Sequence, residues 1–164
     1  MRHSARRIGI LGGAFDPVHN GHIELARRAR DYCALDTVKL IPTGVPVHRD
    51  ATIASAEQRI AMLELARAGQ DWLQVDPREC LTDAPSYTYE TAVALRAENP
   101  EAILFLLIGL DAFLAFDRWH RWQELLGLVH LLVAVRPGYA YASCRLDRGF
   151  RQDVNARLVA NADT

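Results

Sequence analysis

The sequence predicts an α/β fold, an open doubly wound parallel sheet of about five strands, and three observations predict it. Short apolar runs, at residues 8–11, 37–41, 72–75, 102–108 and 130–135, recur between longer segments with helical periodicity. At the start of the chain, strand, helix and strand fit within about 35 residues, the length of a parallel crossover unit. Finally, four of the predicted strands lead at their carboxyl ends into residues suited to phosphate, ribose or ring binding, and that edge is where open parallel sheets hold ligands.

Each element follows from local chemistry. Ile8 to His22 reads IGILGGAFDPVHNGH. Its first four residues suit a buried strand, and Gly12 and Gly13 then turn the backbone without a Cβ to keep a ligand away. Pro17 prevents the loop from becoming helical too early. Asn20 is the expected N-cap of a helix whose Ile23, Ala26, Ala29 and Tyr32 form one apolar face. Strand, glycine turn and helix start make an anion site, because free amides and the positive end of the helix dipole favour phosphate there. Gly12, Gly13, Ala14 and Phe15 are its backbone cradle. His19 and His22 stand three apart around the first helical turn, so both rings can face the same ligand. A neutral imidazole donates a hydrogen bond to a phosphate oxygen, and an imidazolium also offsets charge on a phosphoryl group under attack. Two bland alternatives stay open: glycine pairs precede many helices that bind nothing, and paired histidines also serve as metal ligands, although no third ligand lies at a matching spacing.

The second strand, Thr37 to Ile41, stops at Pro42. The loop Thr43 to Ala54 carries His48 and Arg49, which composition alone reads as solvated surface; departure from a strand's carboxyl end makes them candidate phosphate contacts. Ser55 and Gln58 form a capping box for a helix predicted to turn Ile60, Leu63, Leu65 and Ala66 inward and to end near Gly69, with nothing catalytic on it. Trp72 to Val75 is a short strand and residues 76–84 a loop. Pro85 to Thr91 opens another helix, in which Ser86 or Thr88 is a simple cap and Val93 and Leu95 are apolar, with Asn99 and Pro100 as its stop.

Ala102 to Ile108 is the most apolar strand and is expected to be central. It runs into Gly109, Leu110 and Asp111; the carboxylate suits ribose hydroxyls and equally suits an N-cap. Asp117 to Trp122 puts two tryptophans into six residues. Trp122 reads as core, whereas Trp119, after a helix break, is placed to stack on a ring. The last strand, His130 to Val135, ends at Arg136, a candidate phosphate contact.

At 164 residues the chain holds one real core, assigned to residues 1–138, with 139–164 as an incomplete or divergent terminal segment. A net charge of -1 recommends no nucleic-acid polymer as partner, so phosphate binding has to be local. The three cysteines, Cys33, Cys80 and Cys144, form no CxxC pattern and suit a reducing compartment. The basic start is followed by no signal-like segment, and the longest apolar run, Ala102 to Leu110, is far short of the roughly 20 residues a bilayer span needs. A cytoplasmic protein without a membrane partner is the default expectation.

GGAFDPVHNGH resembles the GxFDPxHxGH signature of the nucleotidyltransferase superfamily, which includes nicotinate mononucleotide and phosphopantetheine adenylyltransferases. The resemblance implies a Rossmann-like fold of nucleotidyltransferase type, with His19 and His22 binding ATP phosphates and stabilising the transition state of adenylyl transfer. VPVHR is similar to the family's PxxxPPHK segment, which implies that His48 and Arg49 meet substrate phosphate; Val47 replaces a frequent proline and Arg49 a lysine. SYTYET is similar to SYTxxT of the bacterial nicotinate mononucleotide enzymes, implying that Ser86, Tyr87 and Thr88 receive the nicotinate carboxylate. Gly109 and Asp111 match IGxD, which implies ribose binding, and WHRW implies that Trp119 stacks on the nicotinate. The implied reaction joins ATP and nicotinate mononucleotide into nicotinate adenine dinucleotide and pyrophosphate, with Mg2+ carried by ATP and no metal cage in the protein.

The family's ISSTxIR motif, which binds ATP phosphates, is absent, and its members normally continue well past this point. The chain as it stands is therefore expected to bind ATP less well than a longer relative. Alternatives remain: a phosphopantetheine adenylyltransferase, a non-catalytic nucleotide-binding protein, and a purely structural use of the histidines and tryptophans. Homo-oligomerisation and the choice of nicotinate over nicotinamide stay open.

Overall fold

The computed structural model describes residues 5–46 and 52–135. Its five strands are β1 (Arg7–Gly13), β2 (Thr37–Pro42), β3 (Leu73–Val75), β4 (Ile103–Gly109) and β5 (His130–Ala134). They form a single sheet in the order β3-β2-β1-β4-β5, with every pairing parallel. The helices are α1 (Asn20–Cys33), α2 (Ala56–Ala66), α3 (Thr88–Glu98), α4 (Leu110–Leu114) and α5 (Trp122–Leu128). The predicted fold class is therefore the observed one.

Alternation along the strands divides the core into two layers. Ile8 and Ile10 of β1 with Leu104, Leu106 and Ile108 of β4 face α3, α4 and α5 through Leu95, Phe113 and Leu125. Leu11, Phe105 and Leu107 face the other way, with Val38 and Leu40 of β2, onto Ala26 and Ala29 of α1 and Leu63 of α2. Burial on both faces explains why β1, β2 and β4 read as continuous apolar runs rather than alternating ones. Gly9 belongs to this packing: a Cβ there would lie 2.9 Å from Leu35 Cδ1. β4 is an interior strand between β1 and β5, while β1 holds the exact middle of the order.

Several local expectations need correction. α1 is capped by His19 rather than Asn20. Its buried stripe is Ala26 and Ala29, with Cys33 packed against the same cluster, whereas Tyr32 is 64% exposed. α2 ends at Ala66 and turns Arg59 and Leu63 inward; Leu65 points to solvent and Ile60 is half-buried. The i,i+4 pair 59 and 63 shares one face, and 65 lies well around the helix from it. Residues 76–84 contain a short 3-10 turn, Arg78–Leu81. α3 buries Leu95 together with Thr91 and Ala92 but leaves Val93 exposed. Trp72 and Ala102 each precede their strand, and Val135 follows β5.

Candidate active site

The order of the strands reverses beside β1. From β1 the chain moves outward through β2 to β3, then crosses back to add β4 on the other side of β1. The crevice at the carboxyl ends of β1 and β4 is thus the topological switch point, where sheets of this kind bind ligands. The turn after β1 and the Gly109 turn after β4 flank that crevice.

Gly12 and Gly13, expected to turn the backbone, are instead the last two residues of β1, and the turn begins after them; Gly12 is exposed and Gly13 half-buried. A Cβ on Gly12 would meet nothing nearer than the Ile41 carbonyl at 3.9 Å, and one on Gly13 would make ordinary contact with the Phe15 ring at 3.5 Å. The fold itself tolerates side chains here, and the space they would take is the mouth of the crevice. Phe15 adopts φ 50°, a left-handed conformation that a bulky residue holds only when its surroundings impose it. The residue is 2% exposed and belongs, with Val38 and Leu40, to the α1 and α2 side of the core. Among the described residues, no acceptor meets the amides of Ala14 and Phe15. Asp16 accepts from the Ile53 and Ala54 amides at 2.5 and 3.1 Å, tying the turn to the residues that enter α2.

The two histidines cap the helix with each other. His19 Nδ1 accepts from the Gly21 amide at 3.1 Å, and His22 Nδ1 accepts from the His19 amide at 3.2 Å. The rings stack with centroids 3.8 Å apart. The helix-start amides expected to meet an anion directly are therefore taken: Gly21 by the imidazole and His22 by the His19 carbonyl at 2.9 Å. With both Nδ1 atoms accepting, each neutral ring carries its proton on Nε2, so the positive end of the helix is presented through two imidazole N–H groups instead. The edge of Phe15 closes on His22 at 4.9 Å. Burial, and secondarily the charge of His19, lowers the His22 pKa to about 4. His22 is consequently a neutral donor at neutral pH, and a bound anion would oppose that shift.

Around β4, Gly109 is exposed with open space where a Cβ would stand. Gly109 occupies the N-cap of α4 and Asp111 lies exposed in its first turn, which removes the N-cap reading of Asp111. At α3 the N-cap is Tyr87 and makes no side-chain capping bond, so neither Ser86 nor Thr88 is the cap. Ser86 instead accepts from the Gly44 amide at 3.1 Å through Oγ, and its own amide donates to the Val45 carbonyl at 3.0 Å. The Ser86 hydroxyl also bonds Glu79, which accepts from Thr91 Oγ1 at 2.6 Å. Burial pushes the Glu79 carboxyl up, and the hydroxyls of Thr91 and Ser86 hold it back. Tyr87 and Thr88 remain half-exposed at the helix start.

The WHRW segment folds against that start. His120 lies against the Tyr87 ring at 4.4 Å, and the Arg121 guanidinium sits 4.1 Å over Tyr89. Trp119 is half-buried, one side on Phe116 at 5.0 Å. Trp122 packs partly buried on the same core cluster. Thus the fold brings together segments that the sequence separates. His48, Arg49 and Arg136 lie outside the described residues. Among the described residues, no three His, Cys, Asp or Glu side chains are grouped to hold a metal ion, and no helix is long and apolar enough to cross a membrane.

Sequence reasoning passed over Arg59. It is 1% exposed, and its Nη1 donates to the Ala14 carbonyl at 2.7 Å. Its place four residues before Leu63 was the available signal, since that spacing puts a charge on the inward face of α2.

Comparison with known proteins agrees with this architecture. The cytidylyltransferase-like family matches residues 10–160. A protein of Laribacter hongkongensis named "Probable nicotinate-nucleotide adenylyltransferase" is 51% identical over 133 residues, which cover 80% of this chain and 60% of that protein. One of the same name from Pseudomonas paraeruginosa is 50% identical over 157 residues, covering 95% of this chain and 72% of its relative. The chain thus spans about 60% of the length of the first of these relatives. Among solved structures, the Plasmodium falciparum nicotinic acid mononucleotide adenylyltransferase complexed with NaAD shares the fold at TM-score 0.72 and 14% identity, over 90% of this chain and 70% of that one. With a switch-point crevice, a histidine-capped helix beside it and these relatives, the chain belongs to the cytidylyltransferase-like family and, within it, to the nicotinate-nucleotide adenylyltransferases.

Proposed function

We propose that this chain carries the adenylyl-transfer site of a nicotinate-nucleotide adenylyltransferase, with ATP and its magnesium ion as one substrate and nicotinate mononucleotide as the other. The observation that carries the reading is the His19–His22 capping pair, which leaves two Nε2–H donors at the switch point beside the unbonded Phe15 amide. A phosphate oxygen of the mononucleotide attacks the α-phosphorus of ATP in line. That P–O bond forms as the bond from the α-phosphorus to the bridging oxygen breaks, and pyrophosphate leaves with the electron pair. No covalent enzyme intermediate is needed, so the protein works by positioning and by charge stabilisation. His22 and His19 donate to the oxygens of the transferred phosphoryl group, and Gly12, Gly13, Ala14 and Phe15 let the backbone approach it. His48, Arg49 and Arg136 contact substrate phosphates, and Gly109 and Asp111 take the ribose. Ser86, Tyr87 and Thr88 present the start of α3 to the nicotinate carboxylate, with Trp119 stacking on the ring; an uncapped helix start supports the anionic partner. Magnesium would arrive with ATP and would supply charge neutralisation at its phosphates.

Pyrophosphate release from ATP and magnesium, measured with nicotinate mononucleotide, nicotinamide mononucleotide and phosphopantetheine in turn, tests the proposal. Release with nicotinate mononucleotide above the others is expected. Preference for phosphopantetheine, or nucleotide binding with no product, would overturn it.

A further inference from the structure

A guanidinium that is 1% exposed has exchanged water for whatever the protein provides, and burying a charge is expensive unless partners replace its hydration. Arg59 has few such partners. Nη1 donates to the Ala14 carbonyl at 2.7 Å, and the Cys80 thiol, whose Sγ also bonds the Pro42 carbonyl at 3.3 Å, lies in hydrogen-bond reach. Nε is buried and, among the described residues, has no partner. Among the same residues no carboxylate comes within ion-pair distance; Glu57, exposed two residues earlier on α2, only senses the charge. A full positive charge is thus sealed, with no counter-ion among the described residues, directly behind the turn that holds Ala14 and Phe15.

The bond to Ala14 has a directional consequence. The carbonyl of Ala14 and the amide of Phe15 belong to one trans peptide, so they point in opposite directions. Drawing the carbonyl towards buried Arg59 aims the Phe15 N–H away from it, and that N–H meets no acceptor among the described residues. The same peptide leads into the left-handed φ of Phe15, a conformation that needs an external restraint.

We propose that Arg59 is a positioning residue of the phosphate turn: it orients the Ala14–Phe15 peptide so that the Phe15 amide faces the nucleotide phosphates, and it lends that turn a fixed, unscreened positive charge. The inference rests on the nucleotide site described above. It assigns to α2 a share in phosphate recognition.

The test titrates the full chain and its Arg59→Met and Arg59→Lys variants with ATP and, separately, with adenosine, with thermal unfolding as the check on folding. Methionine fills the volume without charge or donors. Arg59→Met should weaken ATP by about tenfold or more, the scale of a charge-assisted hydrogen bond, while adenosine affinity stays within about twofold. Equal losses for both ligands, or no loss for ATP, would overturn the inference, since a structural role alone has no reason to single out the phosphates. If Arg59→Met does not fold, Arg59→Lys decides. Lysine keeps the charge but loses the planar fork. ATP weakened about threefold or more with adenosine unchanged supports the inference, and an unchanged ratio overturns it. Failure of the unaltered chain to bind ATP would instead remove the nucleotide site itself, an outcome visible before any variant is made.

Discussion

The turn after β1 and the junction at the start of α3 lie along the same edge of the sheet, yet they handle their polar groups in opposite ways. At the junction, Gly44 N–H, Ser86 Oγ, Glu79 and Thr91 Oγ1 form one connected set, and Val45 pairs with Pro85 beside it. Among the described residues, the Ala14 and Phe15 amides at the turn meet no acceptor, Arg59 Nε has no partner, and each histidine uses only Nδ1 in hydrogen bonding. Buried polar groups are satisfied almost everywhere in folded proteins, and the less satisfied of the two regions is the one proposed to receive the nucleotide. The contrast separates residues that hold the fold from residues proposed to act on substrate.

The largest effect should come from the closed region. A Cβ on Gly44 would stand 1.8 Å from the Glu79 carbonyl oxygen, and backbone cannot yield as a side chain can. Gly44→Ala is expected to cost more than about 4 kcal/mol or to prevent folding, as seen by urea unfolding. A loss below about 1 kcal/mol would mean that the junction is looser than described.

Next comes the open region. His22→Ala should lower turnover by ~10²-fold or more, the scale for one transition-state donor, with little change in the unfolding midpoint. A drop of less than about threefold would take His22 out of the chemistry. The contrast with Gly44→Ala is the point: one variant loses the fold, the other the reaction.

The pH dependence sharpens the same distinction. Because the His22 pKa falls from 6.5 unfolded to about 4 folded, the unfolded chain binds more protons between those values. Its contribution to stability is therefore present above pH 6.5 and is lost progressively as the pH falls to about 4. NMR titration of the ring should find its midpoint near the lower value and should move it upward when a triphosphate is added. A midpoint unchanged by the anion would argue against contact.

Ser86→Ala should cost ~1–3 kcal/mol by leaving the Gly44 amide without its acceptor. The smallest effect belongs to Leu65→Ala, at most about 0.5 kcal/mol, because Leu65 is 78% exposed. A larger loss there would restore the inward face the sequence suggested.

Much of this was legible in the chain alone, for a physical reason in each case. Five apolar runs were readable because strands buried on both faces leave no polar position to blur them. The Ser55 and Gln58 capping box was readable because both its bonds lie within one turn of helix. The histidine pair was readable from its spacing, but not its geometry: nothing in HNGH says that His19 displaces Asn20 as the cap, since either of these two adjacent polar residues can fill that role. Leu65 was misplaced because an apolar residue is attracted to a core only if the helix is rotated towards one, and the rotation is set by partners far along the chain.

The sequence by itself determined the class of fold and the order of its elements, because these depend on residues close together. Only the tertiary structure decided which imidazole nitrogen is free, that Ser86 is spent on Gly44 and Glu79, and that Arg59 lies under Ala14. Those contacts join residues brought together by the crossing of the chain from one side of β1 to the other, and no local pattern records such a crossing.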